Sequence, residues 1–491
     1  MKDRSSRRKP VVDAVIVGSG PNGLAAAVTL ARAGLAVRVY ERDGALGGGA
    51  ATREITLPGF RNDVCSAVHP MAFVSRFFRE FGLRHRVDFV TPDVSFAHPL
   101  DGGRAAIAFR DLARTRDGMG RDGAAYERLM RPLVDRVDGI ADLTGSSLLR
   151  MPRDPLAALV FGLRALEQGT VDWNTRFAED LAPALLTGAA AHSILSQPSI
   201  AAAGAGLMLQ TLAHAQGWPI PIGGTQSIVD AMVNDVRAHG GEFVTDHEVS
   251  SLAELPASRA VLLDVTPRAF IRLAGESMPS GYRSALQRFR YGGGVAKVDF
   301  ALSEPVPWAD PDVRAAGTVH VGGSRAEIAA AENAVNNGAI PDRPYVLVAQ
   351  PSTFDSTRAP AGQHTLWAYT HVPAGSTADR TEAVISQIER FAPGFRDTIL
   401  ATAHRNAVDL ERHNPNYVGG DIAAGAPSLR QLIARPVLRT DPWRSPIPGV
   451  YLASSSASPG PGVHGLVGWH AALSALRHEF GTRALPDLSP R

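Results

Sequence analysis

Residues 11–49 constrain this chain more than any other stretch. Val11 to Val17 is an apolar run of strand length, and Gly18, Gly20 and Gly23 follow at once in the spacing GxGxxG. Leu24, Ala27, Val28, Leu30 and Ala31 then recur at helical spacing. Gly34 ends that helix, and Leu35 to Tyr40 is a second strand that stops at Glu41. Strand, glycine turn, helix, strand and acid together predict a complete βαβ unit for a dinucleotide. Gly18 allows the tight turn, Gly20 lets the backbone approach a pyrophosphate, and Gly23 lets helix and strand pack closely. The helix start offers unpaired N–H groups and a positive dipole end to phosphates. Glu41 can accept hydrogen bonds from ribose hydroxyls, and its charge would repel a 2′-phosphate. The motif alone does not separate NAD from FAD.

The chain has 491 residues, enough for two or three domains and a large core. A net charge of only +2 lacks the electrostatic footprint of a nucleic-acid binder. The single cysteine, Cys65, excludes an intrachain disulfide and a cysteine-based metal site, and reads as a small buried thiol. No apolar run reaches the length of a membrane-spanning helix. Ser6, Arg7 and Arg8 before the apolar run imitate a twin-arginine export signal. That run is, however, the first strand of the nucleotide fold, and no small-residue cleavage site follows. Residues 1–10 are therefore expected to be a disordered basic tail, and the protein cytoplasmic, with peripheral contact at an anionic membrane surface. Lys2, Lys9 and Lys297 are the only lysines, so Lys297 is the sole lysine beyond the tail.

Beyond the first unit, residues 87–110 alternate as hairpin strands around Asp101-Gly102-Gly103, and Met71 to Phe81 reads as helical. From 111 to about 215 the pattern is mostly helical. Ala124 to Leu143 is amphipathic, and Leu181 to Ala213 is rich in Ala, Leu and Ile with few charges. That second stretch is either a buried helical layer or the wall of a lipophilic substrate channel. After the Pro- and Gly-rich segment 217–224, a helix is predicted over Thr225 to Ala238, a strand pair over Glu242 to Leu252, and an apolar strand from Ala260 that ends at Asp264. Residues 291–302 and 340–372 supply strands of a second sheet. Near the end, Gly449 to Ala453 is a strand, Ser454 to Gly465 a small-residue loop, and Leu466 to Leu476 a helix. Gly460, Gly462 and Gly465 again match GxGxxG, but no second strand and acid follow. The segment reads as a strand–loop–helix that returns to the first unit and lays its helix start against the cofactor.

Three separated segments carry one resemblance: DAVIVGSGPNGLAAAVTLARAGLAVRVYERDGALGG at 13–48, GWPIPIGGTQSIVDAMV at 217–233 with GGEFVTDHEV at 240–249, and GVYLASSSASPGPGVHGLVGWHAA at 449–472. The chain resembles the phytoene desaturase-like flavoproteins, and within them the branch called pyridine nucleotide-disulphide oxidoreductase domain-containing protein two. The resemblance implies an α/β, Rossmann-like two-dinucleotide-binding-domain flavoprotein. Its FAD domain would be discontinuous (11–90, 217–290 and 440–480), interleaved with a mixed α+β substrate domain (91–216 and 291–439). It further implies that Gly18, Gly20 and Gly23 hold the pyrophosphate and Glu41 the adenosine ribose, with Gly47 and Gly48 flanking the phosphates. Val249 would meet the adenine through its backbone, Ser455 and Ser456 would lie beside the ribityl phosphate, and Gly462 and Val463 under the isoalloxazine ring. Two departures stand out. His464 replaces the proline usual in carotenoid desaturases, and SAVHP at 66–70 replaces their glycine-rich turn.

A flavin accepts hydride at N5, so the protein must orient a substrate C–H, exclude water and, for activated substrates, supply a base. His69 and His464 are the candidate bases, each also readable as a histidine bonded to backbone. Lys297, in VAKVDF, is either a lysine near flavin N5 or a strand lysine on the solvent face. His371 is a further lining candidate. No Ser-His-Asp set and no metal spacing is visible. The leading expectation is an FAD-dependent oxidoreductase of desaturase or dehydrogenase type on a lipophilic small molecule. An amine-oxidase-like flavoenzyme and a non-catalytic or regulatory flavoprotein are the alternatives. No separate NAD-binding domain is visible, so oxygen, a quinone or a transient nicotinamide all stay open as electron acceptor.

Overall fold

The computed structural model describes residues 12–490. The expected basic tail over 1–10 lies outside them. Five parallel strands form one sheet in the order Val450–Leu452, Ala260–Leu263, Ala14–Val17, Val37–Tyr40, Glu242–Val244. Its strands thus come from three distant parts of the chain. Ala14–Val17 is central and buried along its whole length, as a parallel strand covered on both faces must be. Helix Pro21–Arg32 packs on helices Gln226–Ala238 and Leu466–Glu479. The approach of the last helix is so close that a Cβ on Gly468 would lie 1.7 Å from the Asn22 carbonyl oxygen, so only glycine fits.

A second, seven-stranded sheet runs Ile399–Arg405, Gly294–Leu302, His364–Val372, Val346–Ala349, Ala316–Val321, Val94–Leu100, Arg104–Phe109. All its pairs are antiparallel except Ala316–Val321 with Val94–Leu100. Alternation along the strands separates two faces. Leu366, Ala368 and Val348 pack into a core with Val384 and Ile388 of helix Thr381–Glu389. Trp367, Tyr369 and Leu347 point the other way. A third core, around Tyr126, Leu129, Leu185 and Leu207, holds the helices between residues 112 and 215 against this sheet.

Several elements differ from expectation. The amphipathic stretch 124–143 is two helices, Gly123–Val134 and Val137–Thr144, separated at Arg136, whose φ of −121° is not helical. Leu181 to Ala213 likewise divides into Leu181–Ala191 and Ile200–Ala215. The second begins where Ser199 Oγ accepts from the Ala202 N–H. The strand pair predicted over 242–252 is one strand, Glu242–Val244, because Asp246 turns the chain with a φ of 54°. The helix read from Met71 starts only at Arg76, capped by Ser75.

Candidate functional site

The glycine turn, the C-terminal small-residue loop and the second sheet converge on a cavity of about 420 Å³. Gly20, Pro21 and Asn22 come from the head of the chain. Ser454, Ser455, Pro461, Gly462 and Val463 come from its tail. Thr318, Leu347, Ala349, Trp367 and Tyr369 form a wall from the sheet, and Ala205, Met208 and Leu209 another from helix Ile200–Ala215. The two ends of the chain are bonded directly. Asn22 Nδ2 donates to Ser455 Oγ at 3.2 Å, and Ser75 Oγ donates to the His464 carbonyl at 2.6 Å.

The acid at the end of the second strand organises the turn. Glu41 Oε2 accepts from the Ser19 N–H (2.9 Å) and hydroxyl (2.7 Å), and Oε1 accepts from the Asp43 N–H at 3.1 Å. Ser19 Oγ in turn accepts from the Gly47 N–H at 3.2 Å, and Gly48 lies against Gly20. A Cβ on Gly23 would lie 2.1 Å from the Gly18 carbonyl oxygen, the close helix–strand packing that its place in the motif requires. Val249 is buried in the core of the first sheet. Ser456 is buried and outside the lining, and it donates to the carbonyl of Ala424, a lining residue.

The candidate bases separate. His69 lines the cavity. Thr225 Oγ1 donates to the Ser66 carbonyl and therefore accepts from His69 Nε2 at 2.9 Å, which leaves Nδ1 as the unprotonated nitrogen. Burial lowers His69 to about 4, so the ring is neutral at neutral pH. His464 is not part of the lining. Its Nδ1 accepts from the Leu466 N–H at 3.0 Å and so caps the last helix. Lys297 does not lie on the solvent face. It is 3% exposed, forms an ion pair with Asp299, and stands opposite Tyr369 across the strand pair, on the same face as the cavity wall but outside the lining, 5.5 Å from the ring centroid of Trp367. Burial pulls the Lys297 ammonium down and pushes the Asp299 carboxyl up, each opposed by the other's charge. His371 is buried against Glu332 at 2.7 Å, also outside the lining.

Three groups of the site went unread in the sequence. Asp264 Oδ2 accepts from the Gly23 N–H at 3.0 Å, in the mouth of the glycine turn, and burial pushes it up to about 7. Its position at the carboxyl end of a parallel strand, where ligands of such sheets bind, was the available signal. Arg435, 1% exposed, donates to the carbonyls of Ser455, Ala423 and Gly425, tying the tail loop to the loop at 421–427. Asn416 donates to the Asp264 carbonyl and accepts from the Thr266 N–H, both at 3.0 Å.

The residues present fit a dinucleotide. A glycine turn meets a helix start, an acid is fixed beside it, and Asn22 Oδ1 is buried there without a hydrogen-bond partner. The family model for flavin-containing amine oxidoreductases matches residues 22–472. The chain belongs to that family. It is an FAD-dependent oxidoreductase with the two-domain flavoprotein fold. Pyridine nucleotide-disulfide oxidoreductase domain-containing protein 2 of Rattus norvegicus is 26% identical over 550 residues, spanning 96% of this chain and 94% of that protein. A 4,4'-diapolycopen-4-al dehydrogenase of Metabacillus indicus is 30% identical over 131 residues, 25% of this chain and 26% of that one. The solved structure of cyclohexylamine oxidase from Brevibacterium oxydans shares the fold, with a TM-score of 0.58 at 16% identity over 96% of this chain and 100% of that one.

Proposed function

We propose that this oxidoreductase acts on an uncharged, lipophilic small molecule as a dehydrogenase or desaturase. One observation carries the reading: the cavity wall is apolar, and burial drives most of its ionisable groups toward their neutral forms. His69 and His192 are lowered to about 4 and about 3, while Cys65, Tyr369 and Tyr417 are raised. The one carboxylate of the lining, Asp264, belongs to the glycine turn and is itself raised. A charged ammonium or carboxylate entering this space would lose its hydration without gaining a partner. The partial match to a dehydrogenase of 4,4'-diapolycopen-4-al agrees with this substrate class.

FAD, when bound, supplies the hydride acceptor. The chain's part is to place it and to shape the space above it. Gly18, Gly20, Gly23 and Glu41 would hold the pyrophosphate and ribose, and Ser455, Gly462 and Val463 the flavin end. Trp367 and Tyr369, nearly perpendicular with centroids 5.2 Å apart, orient an apolar substrate and exclude water. On this reading His69, held through Nε2 by Thr225 at the cavity wall, takes the proton on Nδ1 where the substrate releases one.

The family name favours a second reading, oxidation of an amine taken up in its neutral form. Anaerobic titration of the yellow protein separates the two. Bleaching by a neutral terpenoid alcohol, aldehyde or alkene but not by primary amines is expected. Bleaching by amines alone would overturn the lipophilic reading in favour of the second.

A further inference from the structure

One helix is built inside out. Pro155–Gln168 buries Ala157, Ala165 and Gln168, and turns Leu156, Leu159, Leu163 and Leu166 to solvent at 50%, 58%, 56% and 47% exposure. These leucines fall at i, i+3, i+7 and i+10, one stripe along the helix. Met151 just before it and Val171 just after are 88% and 87% exposed. Of 14 exposed large hydrophobic residues among those described, eight lie between 148 and 171. Packing alone would put the leucines inward and the alanines outward, so this face is shaped for something outside the molecule.

Charge indicates what that is. Beside Met151 opens a groove of about 620 Å³ that carries Arg76, Arg79, Arg150 and Arg153 over an apolar floor including Trp469. Its acids are engaged. Asp138 answers Arg79 at 2.8 Å, Asp142 lies 3.5 Å from Arg153, and Asp154 accepts from the Ala157 N–H to cap the helix. Arg150 forms no ion pair among the described residues, and its guanidinium donates to Ser146 Oγ. A leucine stripe next to an uncompensated arginine is the pattern of a helix lying in a lipid interface with anionic headgroups. No described helix is long and apolar enough to cross a membrane, so the geometry is one of lying on the surface.

We propose that the face formed by Met151, Leu156, Leu159, Leu163, Leu166 and Val171 docks on an anionic phospholipid bilayer, with Arg150 at the phosphate level. The same helix packs on Ile200–Ala215, which lines the cavity through Ala205, Met208 and Leu209. The docked face therefore stands one helix layer from the cavity. The inference does not rest on the substrate reading, because docking is measured without turnover.

The test is sedimentation of the flavin-loaded protein with vesicles of equimolar phosphatidylcholine and phosphatidylglycerol. The wild-type protein is expected in the pellet, and L159E/L163E in the supernatant, with partition weakened at least about tenfold. Both positions are exposed, so flavin absorbance and the melting curve of the variant should match the wild type. Wild-type protein left in the supernatant, or a double variant that pellets equally, overturns the proposal. Light scattering that shows a wild-type dimer split by L159E/L163E overturns it too, and names a second copy of the chain as the occupant.

Discussion

Asp264 places a carboxylate oxygen 3.0 Å from the backbone nitrogen of Gly23, inside the turn built to receive phosphate. A Cβ on Gly20 would lie 2.6 Å from that same oxygen. The carboxyl is raised to about 7, first by burial and then by the charge of Glu41, against the N–H of Gly23 that favours its ionised form. A raised acid contributes stability that is fully present below its ordinary value near 4 and is lost as pH rises through 7. Asp264→Asn keeps the size and the acceptor. Its melting temperature should exceed that of the wild type at pH 8 and converge with it near pH 5. The variant should also bind FAD more tightly at pH 8, having shed a negative charge beside the phosphates, as fluorescence titration of flavin-free protein would read.

Acid should destabilise the fold through its histidines. His69, His98, His214, His320 and His464 are buried, His192 and His470 are half-buried, and desolvation lowers all seven. A histidine depressed in the folded state contributes stability present above its unfolded value, and loses it as pH falls toward the folded value. Urea midpoints should therefore drop steeply between about pH 6.5 and 4, with net proton uptake on unfolding. Flat midpoints across that window would contradict the burial of these rings.

Arg435→Met should cost at least about 3 kcal/mol and release flavin. The guanidinium is the shared donor to the carbonyls of Ala423, Gly425 and Ser455, and methionine leaves buried carbonyls without one. Urea denaturation and the flavin-to-protein absorbance ratio measure the two effects.

Lys297→Met strands Asp299 in the interior, a loss of about 3–5 kcal/mol. K297M/D299L removes both charges and should recover more than half of that loss in thermal denaturation. A lysine needed at the flavin would give the opposite pattern, an active-site defect that the second substitution leaves in place.

His464→Phe should lower stability by about 1 kcal/mol through the lost cap on Leu466. Flavin reduction should slow little in stopped-flow measurements. His69→Ala, at the cavity wall, should slow reduction of substrates that release a proton and leave the folded protein intact in circular dichroism.

The nucleotide-binding unit was legible because its determinants are local. The strand–GxGxxG–helix–strand–acid order lies within 31 residues, from Val11 to Glu41, and each glycine answers a steric demand of its own neighbours. The return of the tail to the head was legible from its small-residue loop. The break at Arg136 was not, since the apolar period runs through it, whereas the break before Ile200 carried local signals in Pro198 and the Ser199 cap.

The roles of the ionisable residues divide along the same line. Residue type alone nominated His69, His464 and Lys297 together, because each can carry a proton. Tertiary structure sorted them by what lies within hydrogen-bond reach: Thr225 for His69, the Leu466 N–H for His464, Asp299 for Lys297. It also brought Asp264 to Gly23 across 241 positions and Arg435 to the tail loop. Sequence periodicity and spacing fix contacts within a few turns of chain, whereas the desolvation and pairing that set a side chain's charge are properties of neighbours chosen by the fold.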